Sequence, residues 1–347
     1  MKASLLYLLT AGGVTAALAA TLPSHHKQQQ RAPDVTAQEL ANVDFYAQYS
    51  AAASCNSNNS PGQAVTCAND TCPAVEADGA TTVVSFSGVL TDIRGFVAVD
   101  PAAQVVVVSV RGSSSIRNWV TDFIFTQVPC PLTPGCLVHA GFYLAWTEIS
   151  SVVLSAVQSA TAAHPGYTVI ATGHSLGGAV ATIAAAYIRD AGYATDLYTY
   201  GSPRVGNLYF ARFVTQQPGG EYRVTHTDDP VPRLPPIILN YRHTSPELWV
   251  TNPADIGTYI VGDVEVCTGY ANVGCNAGTF GLDFAAHDDY FEPTGGCSAD
   301  TVLLRSRRGE EVEVEAAEMS DADLEAKLNA YVQLDIAFAA NLTGDDA

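Results

Sequence analysis

The stretch from Tyr167 to Ala186 limits the possible folds most. A run rich in β-branched residues, Thr168-Val169-Ile170-Ala171-Thr172, ends in Gly173-His174-Ser175-Leu176-Gly177, and Gly178 with Ala179 to Ala186 follows at once. Strand, G-x-S-x-G and helix in immediate succession are the setting of a nucleophile elbow, where a serine stands on a sharp turn. Glycines two before and two after the serine leave room for strand and helix to approach. The pentapeptide alone recurs by chance, so the flanking pattern carries the inference.

Further strand and helix signals surround this stretch. Gln104 to Val110 reads as a buried strand running into Arg111-Gly112-Ser113. Thr81 to Val89 and Gly95 to Val99 alternate as a hairpin, and Asp196–Tyr200 and Glu221–His226 as further strands. A helix is predicted from Thr36 to Ala53, with Thr36 as cap and Glu39 three residues on. Another is predicted over Gly141–Ala163, its apolar face carrying Phe142, Ala145, Ile149, Val152, Val153, Ala156 and Val157. Strands separated by helices predict an α/β fold, a central mostly parallel sheet with helices on both faces. The 347 residues, 48% of them hydrophobic, suffice for one large domain of this kind.

Residues 1–19 read as a secretory signal: Lys2, an apolar run from Leu5 to Leu18, and Ala17-x-Ala19 as cleavage site. Residues 20–33 read as a short pro-segment or linker, 34–300 as the folded domain and 301–347 as an acidic extension. No other stretch is long and apolar enough to span a bilayer. Eight cysteines in a secreted chain fit four disulfides. Close spacing pairs Cys67 with Cys72, Cys130 with Cys136 and Cys267 with Cys275, which leaves Cys55 for Cys297. No metal-ligand spacing is present, and no cofactor is expected. Sequons at Asn58, Asn69 and Asn341 are candidate glycan sites. The net charge of −19 argues against nucleic acid and anionic membrane surfaces as electrostatic partners, although residues 309–347 carry −10 of it.

A serine nucleophile needs a histidine base, and the histidine an orienting acid. Asp228 and Asp229 both follow the 221–226 strand, and local pattern does not choose between them. His174 lies too close to Ser175 to point at it, and His226 lies within its strand, so His243 and His287 remain as bases. The oxyanion site calls for the N–H of Leu176, just after the serine, and one from another strand-end loop. Ser113 stands where that second donor belongs, though an ordinary turn serine fits the spacing equally well.

Several motifs, in order, resemble those of the filamentous-fungal class 3 lipases, secreted triacylglycerol lipases related to feruloyl esterases. They are Arg111-Gly112-Ser113 with Ile116 and Asn118-Trp119, Val138-His139-Ala140-Gly141-Phe142, Gly173 to Gly177, Pro203-Arg204-Val205-Gly206-Asn207, and Thr225 to Pro236. The resemblance covers roughly residues 35–297 and implies an α/β-hydrolase fold with a short helical lid. It implies Ser175 as nucleophile, Asp229 as acid, His287 as base, and Ser113 and Leu176 as oxyanion donors. It also supports the Cys55–Cys297 and Cys67–Cys72 pairings. Ile116 to Phe125 resembles the lid, with Ile116, Trp119, Val120 and Phe123 as lid residues and Val231 and Leu234 at the substrate site. An amphipathic lid can cover a site in water and turn its apolar side to an oil surface.

The expected activity is ester hydrolysis of triacylglycerols by a monomer at a lipid–water interface. A phospholipase A1, a feruloyl or other carboxylesterase, and a catalytically silent binding protein are the alternatives. Asp288 and Asp289 depart from the family, which usually has apolar residues after the histidine. They are expected near the mouth of the site, raising the His287 pKa and repelling a fatty-acid product. In the extension, Arg307-Arg308 is a dibasic pair and Ser320 caps a predicted helix through Leu324, Leu328, Tyr331, Val332 and Ile336. A solubilising tail, a removable pro-segment and a docked element that modulates the site all fit this pattern.

Overall fold

The computed structural model describes residues 35–112, 116–121 (backbone alone at Ile116, Asn118 and Trp119), 124–253, 258–294 and 319–343. The predicted signal peptide, pro-segment and dibasic pair lie outside these residues, as do Ser113, Phe123 and Cys297. Valine-rich β3 (Val105–Val110) is buried along its whole length, as a strand covered on both faces must be. Its side chains alternate between two cores. Val106, Val108 and Val110 pack with helices α4 (Ala140–Ala163) and α5 (Leu176–Asp190), whereas Val105 and Val107 pack with helix α1 (Ala37–Asn56).

The eight-stranded sheet has the order β1 (Thr81–Ser87), β2 (Arg94–Asp100), β3, β6 (Thr168–His174), β7 (Thr195–Tyr200), β8 (Glu221–His226), β9 (Glu247–Val250), β10 (Val264–Cys267). Pairings from β3 through β9 are parallel, and those at both edges antiparallel. β4 (Gln127–Pro129) and β5 (Leu137–His139) form a separate hairpin before α4. The mostly parallel sheet with helices on both faces is the α/β-hydrolase architecture expected from the motif order.

Helix α1 starts as its sequence predicts. Thr36 Oγ1 accepts from Glu39 N at 3.1 Å and Glu39 Oε2 accepts from Thr36 N at 2.8 Å. The helix is pinned across the sheet by Tyr49, whose hydroxyl donates to Asp100 at 2.7 Å and whose carbonyl accepts from Ser109 Oγ. Helix α4 corrects one expectation: Val152 is 41% exposed, and Trp146 and Ala160 complete the buried stripe instead. It is the one described helix long and apolar enough to cross a membrane, yet that stripe is built into the core. Three of the expected disulfides are present, Cys67–Cys72, Cys130–Cys136 and Cys267–Cys275. Cys55 is also disulfide-bonded.

The extension contains helix α8 (Asp321–Ala339), after α2 (Pro73–Asp78), α3 (Ile116–Thr121), α6 (Leu208–Gln216) and α7 (Phe284–Asp288). Ser320 caps it, accepting from Asp323 N at 3.1 Å. Leu324, Leu328 and Val332 are buried as the apolar spacing suggests. At the next turn the expectation fails: Ile336 faces solvent and Asp335 is buried. The Asp335 carboxylate accepts from Ile237 N and Ile238 N at 2.8 and 3.0 Å and pairs with Arg204 at 3.3 Å. It thereby satisfies donors that burial would otherwise leave unpaired. Burial lowers the Arg204 pKa to about 10, with Asp335 opposing the shift.

Glu292, just after β11 (Asp289–Tyr290), is a candidate stability switch. Burial first, then the nearby Asp44, Asp70 and Asp289, raise its pKa to about 7. The folded state therefore favours the proton. That contribution is full below the unfolded value and is lost as pH rises through 7. Glu292→Gln is expected to leave stability unchanged at pH 4 and to raise it by about 1–2 kcal/mol at pH 8, after allowance for solvent screening. Urea unfolding at both pH values checks this; an equal gain at both would refute it.

Candidate active site

Ser175 joins β6 to α5 with φ 56° and ψ −128°, a conformation that costs an L-residue of order 1–3 kcal/mol and persists only where packing fixes it. The packing is visible at its neighbours. A Cβ on Gly173 would lie 2.5 Å from the backbone of Gly177, and one on Gly177 would lie 2.2 Å from the Val110 carbonyl. Ser175 N donates to Tyr200 O at 2.8 Å, tying the elbow to the end of β7. The side chain is buried, and its Oγ has no hydrogen-bond partner.

The tie between the two acids is broken by geometry. Asp229 is fully buried past the end of β8, and its Oδ2 lies 2.8 Å from His287 Nδ1. Oδ1 accepts from Val231 N at 2.8 Å, and the Tyr290 hydroxyl donates to Oδ2. Asp228, one residue earlier, is half-buried and lies against Gly281. The Asp229 contact fixes Nδ1 as the protonated nitrogen and turns Nε2 into a lone pair. His287 Nε2 is buried and, like Ser175 Oγ, has no partner.

The other histidines have structural duties. His174 Nε2 lies 2.7 Å from the His287 carbonyl, and the two rings are 4.4 Å apart. Burial first, then the neighbouring His287, drives its pKa well below the usual value, so it is a neutral N–H donor that positions His287. His226 meets the carbonyls of Asp289 and Asn252, each at 2.7 Å, and His243 meets that of Pro232. His243 Nε2 is engaged there, and the histidine that Asp229 contacts is His287, the candidate base.

Tyr290 was not foreseen. Burial and the adjacent Asp229 charge raise its pKa well above the ordinary phenol value, which keeps it a donor. Of the two acids after the histidine, Asp288 exposes its side chain, while Thr294 donates to its carbonyl. Cys67, Cys72 and Glu76 come within metal-ligand distance of one another, but the two sulfurs are bonded together.

Gly201, with φ 58°, lets the assembly close. A Cβ there would lie 3.0 Å from Asp229 Oδ2 and from His287 Cε1 and Nδ1. Gly201→Ala is expected to lower kcat/KM by about 10²-fold through displacement of the ring, with a loss of roughly 1 kcal/mol from the left-handed backbone. Steady-state kinetics and thermal unfolding check it, and unchanged kinetics would refute it.

Leu176 opens α5, so its N–H stands at the positive end of a 15-residue helix beside Ser175. The loop expected to supply the second donor passes close by: a Cβ on Gly112 would lie 2.9 Å from His174 O and 3.5 Å from Ser175 Cβ. Among its described residues the expected lid is helical over Ile116–Thr121, and Ile124 lies outside that helix and is exposed. Val120 is buried with Val231 and Leu234, so these three expected lid and substrate residues are brought together.

Known proteins resemble this chain over most of its length. A family model described as "Lipase (class 3)" matches residues 107–239. A secreted mono- and diacylglycerol lipase of Fusarium solani is 49% identical over 315 residues, covering 91% of each chain. Its counterpart from Penicillium cyclopium is 40% identical, over 82% of this chain and 94% of that one. The crystal structure of the mono- and diacylglycerol lipase from Aspergillus oryzae matches with a TM-score of 0.72 at 41% identity, covering 76% of this chain and all of that one. With the elbow, the sheet order and this identity over nearly the whole length, the chain belongs to the class 3 lipase family.

Proposed function

We propose that this protein is a secreted serine lipase that hydrolyses acylglycerol esters through an acyl-enzyme on Ser175. The observation that carries the reading is the oriented His287: Asp229 holds Nδ1, while Nε2 and Ser175 Oγ are both buried and unpartnered. Nε2 takes the Oγ proton as Oγ attacks the ester carbonyl. The N–H groups of Leu176 and Ser113 receive the oxyanion, and the C–O bond to glycerol breaks as Nε2 returns the proton to the leaving oxygen. Water, deprotonated by the same Nε2, then attacks the acyl carbon and releases the fatty acid and Ser175.

Triacylglycerol is the substrate expected from the motifs, but the names of the Fusarium and Penicillium relatives favour mono- and diacylglycerols. We take the partial acylglycerols as preferred. Helix α3 is read as a lid, with Val120 over Val231 and Leu234 where an acyl chain would lie. The domain is read as 34–300, preceded by a removed signal and pro-segment. Rates on monoolein, diolein, triolein, phosphatidylcholine and methyl ferulate, with and without an interface, test the reading. Partial oleoylglycerols should be fastest. A preference for phosphatidylcholine or ferulate would overturn the substrate class, and no hydrolysis of any ester would overturn the enzyme.

A further inference from the structure

Helix α8 lies on the surface that the proposed acyl chain needs. Leu324 and Leu328 are buried in one cluster with Val120 of α3 and with Val231 and Leu234, and Phe284 and Tyr331 pack at its edge. The ring of Phe125, just beyond α3, meets Tyr331 edge-on at 5.8 Å. Polar ties join the two helices at both ends of α3. Arg117 Nη2 donates to Met319 O at 2.8 Å and pairs with Asp321 at 2.7 Å, and Lys327 Nζ donates to Thr121 O at 3.2 Å.

We propose that α8 is an intramolecular latch. It holds α3 closed in water and occupies the acyl surface, so that Leu324 and Leu328 must leave Val231 and Leu234 before a substrate chain binds. This rests on the reading of α3 as lid. The two ends of α8 are held unequally. At the lid end the Asp321 side chain is largely exposed and that of Arg117 partly so, and such pairs contribute little and are screened by salt. At the far end Asp335 is 2% exposed and takes two backbone N–H bonds and Arg204. The latch therefore lets go at the lid while remaining anchored at residues 237–238. A lipid surface favours release because the freed leucines stay out of water there.

The test uses the full chain on p-nitrophenyl butyrate dissolved below saturation, where no interface exists, together with amide exchange of residues 116–121. Leu328→Asp is expected to raise the interface-free rate about 10-fold and Asp321→Arg roughly 3-fold, each with faster exchange in α3. Combining Asp321→Arg with Arg117→Asp should restore the wild-type rate and exchange, which loss of stability would not do. Wild-type rates and exchange in Asp321→Arg, or a double variant no closer to wild type than the single ones, would overturn the latch. If Leu328→Asp does not fold, the charge reversal decides. If no ester is hydrolysed at all, the functional reading has failed, and amide exchange alone still decides whether α8 restrains α3.

Discussion

Ser175→Ala is expected to reduce kcat/KM for acylglycerol hydrolysis by roughly 10⁴–10⁶-fold while leaving the fold intact. The separation of the two effects follows from the local chemistry. Ser175 Oγ makes no hydrogen bond, so its removal leaves no buried partner unsatisfied. The positive φ is retained, since Ala meets the same backbone strain as Ser, and the elbow stays tied through Ser175 N to Tyr200 O. Stability should therefore change by less than about 1 kcal/mol. Adsorption to an acylglycerol emulsion should persist, because the apolar residues of α3 and α8 are untouched. A fluorophosphonate probe should label the wild type and not the variant. Retention of more than a hundredth of the activity would move the nucleophile elsewhere.

The elbow was legible because its constraints are local. Gly173 and Gly177 are needed where backbones come within contact distance, and a strand and a small-residue helix bracket them in the sequence. The capping box of α1 and the valine run of β3 were legible for the same reason. The choice between Asp228 and Asp229 was not, because both follow β8 and differ only in which donors face them. Those donors, Val231 N, His287 and Tyr290, are assembled by the fold. Tyr290 gave no signal, since an aromatic three residues after a histidine is usually core. Asp335 misled for a related reason. Its helix pattern places it beside the apolar stripe, but the N–H groups that call for a carboxylate belong to Ile237 and Ile238, about a hundred positions away.

Asp229→Asn is expected to cost roughly 10³–10⁴-fold in kcat, with binding little altered. The side chain would keep one oxygen for the donors that now share two. If that oxygen stays with Val231 N, the amide N–H₂ meets two donors, His287 Nδ1–H and the Tyr290 hydroxyl. The imidazole then relaxes to the tautomer with the proton on Nε2, where it can no longer accept from Ser175. If the amide flips, Val231 N is left unpaired in a buried site at a cost of about 1–3 kcal/mol. The first route removes general-base function and the second costs stability, so a low kcat is the expected mark of the first and a reduced Tm that of the second. Tyr290→Phe removes one donor from Oδ2 and leaves the His287 contact, so a loss of about 3–10-fold is expected. Asp228→Asn should stay within about twofold of wild type, because the His287 contact is made by Asp229. A reversal of the two aspartate results, measured as kcat on diolein with Tm as control, would assign the acid to Asp228 instead.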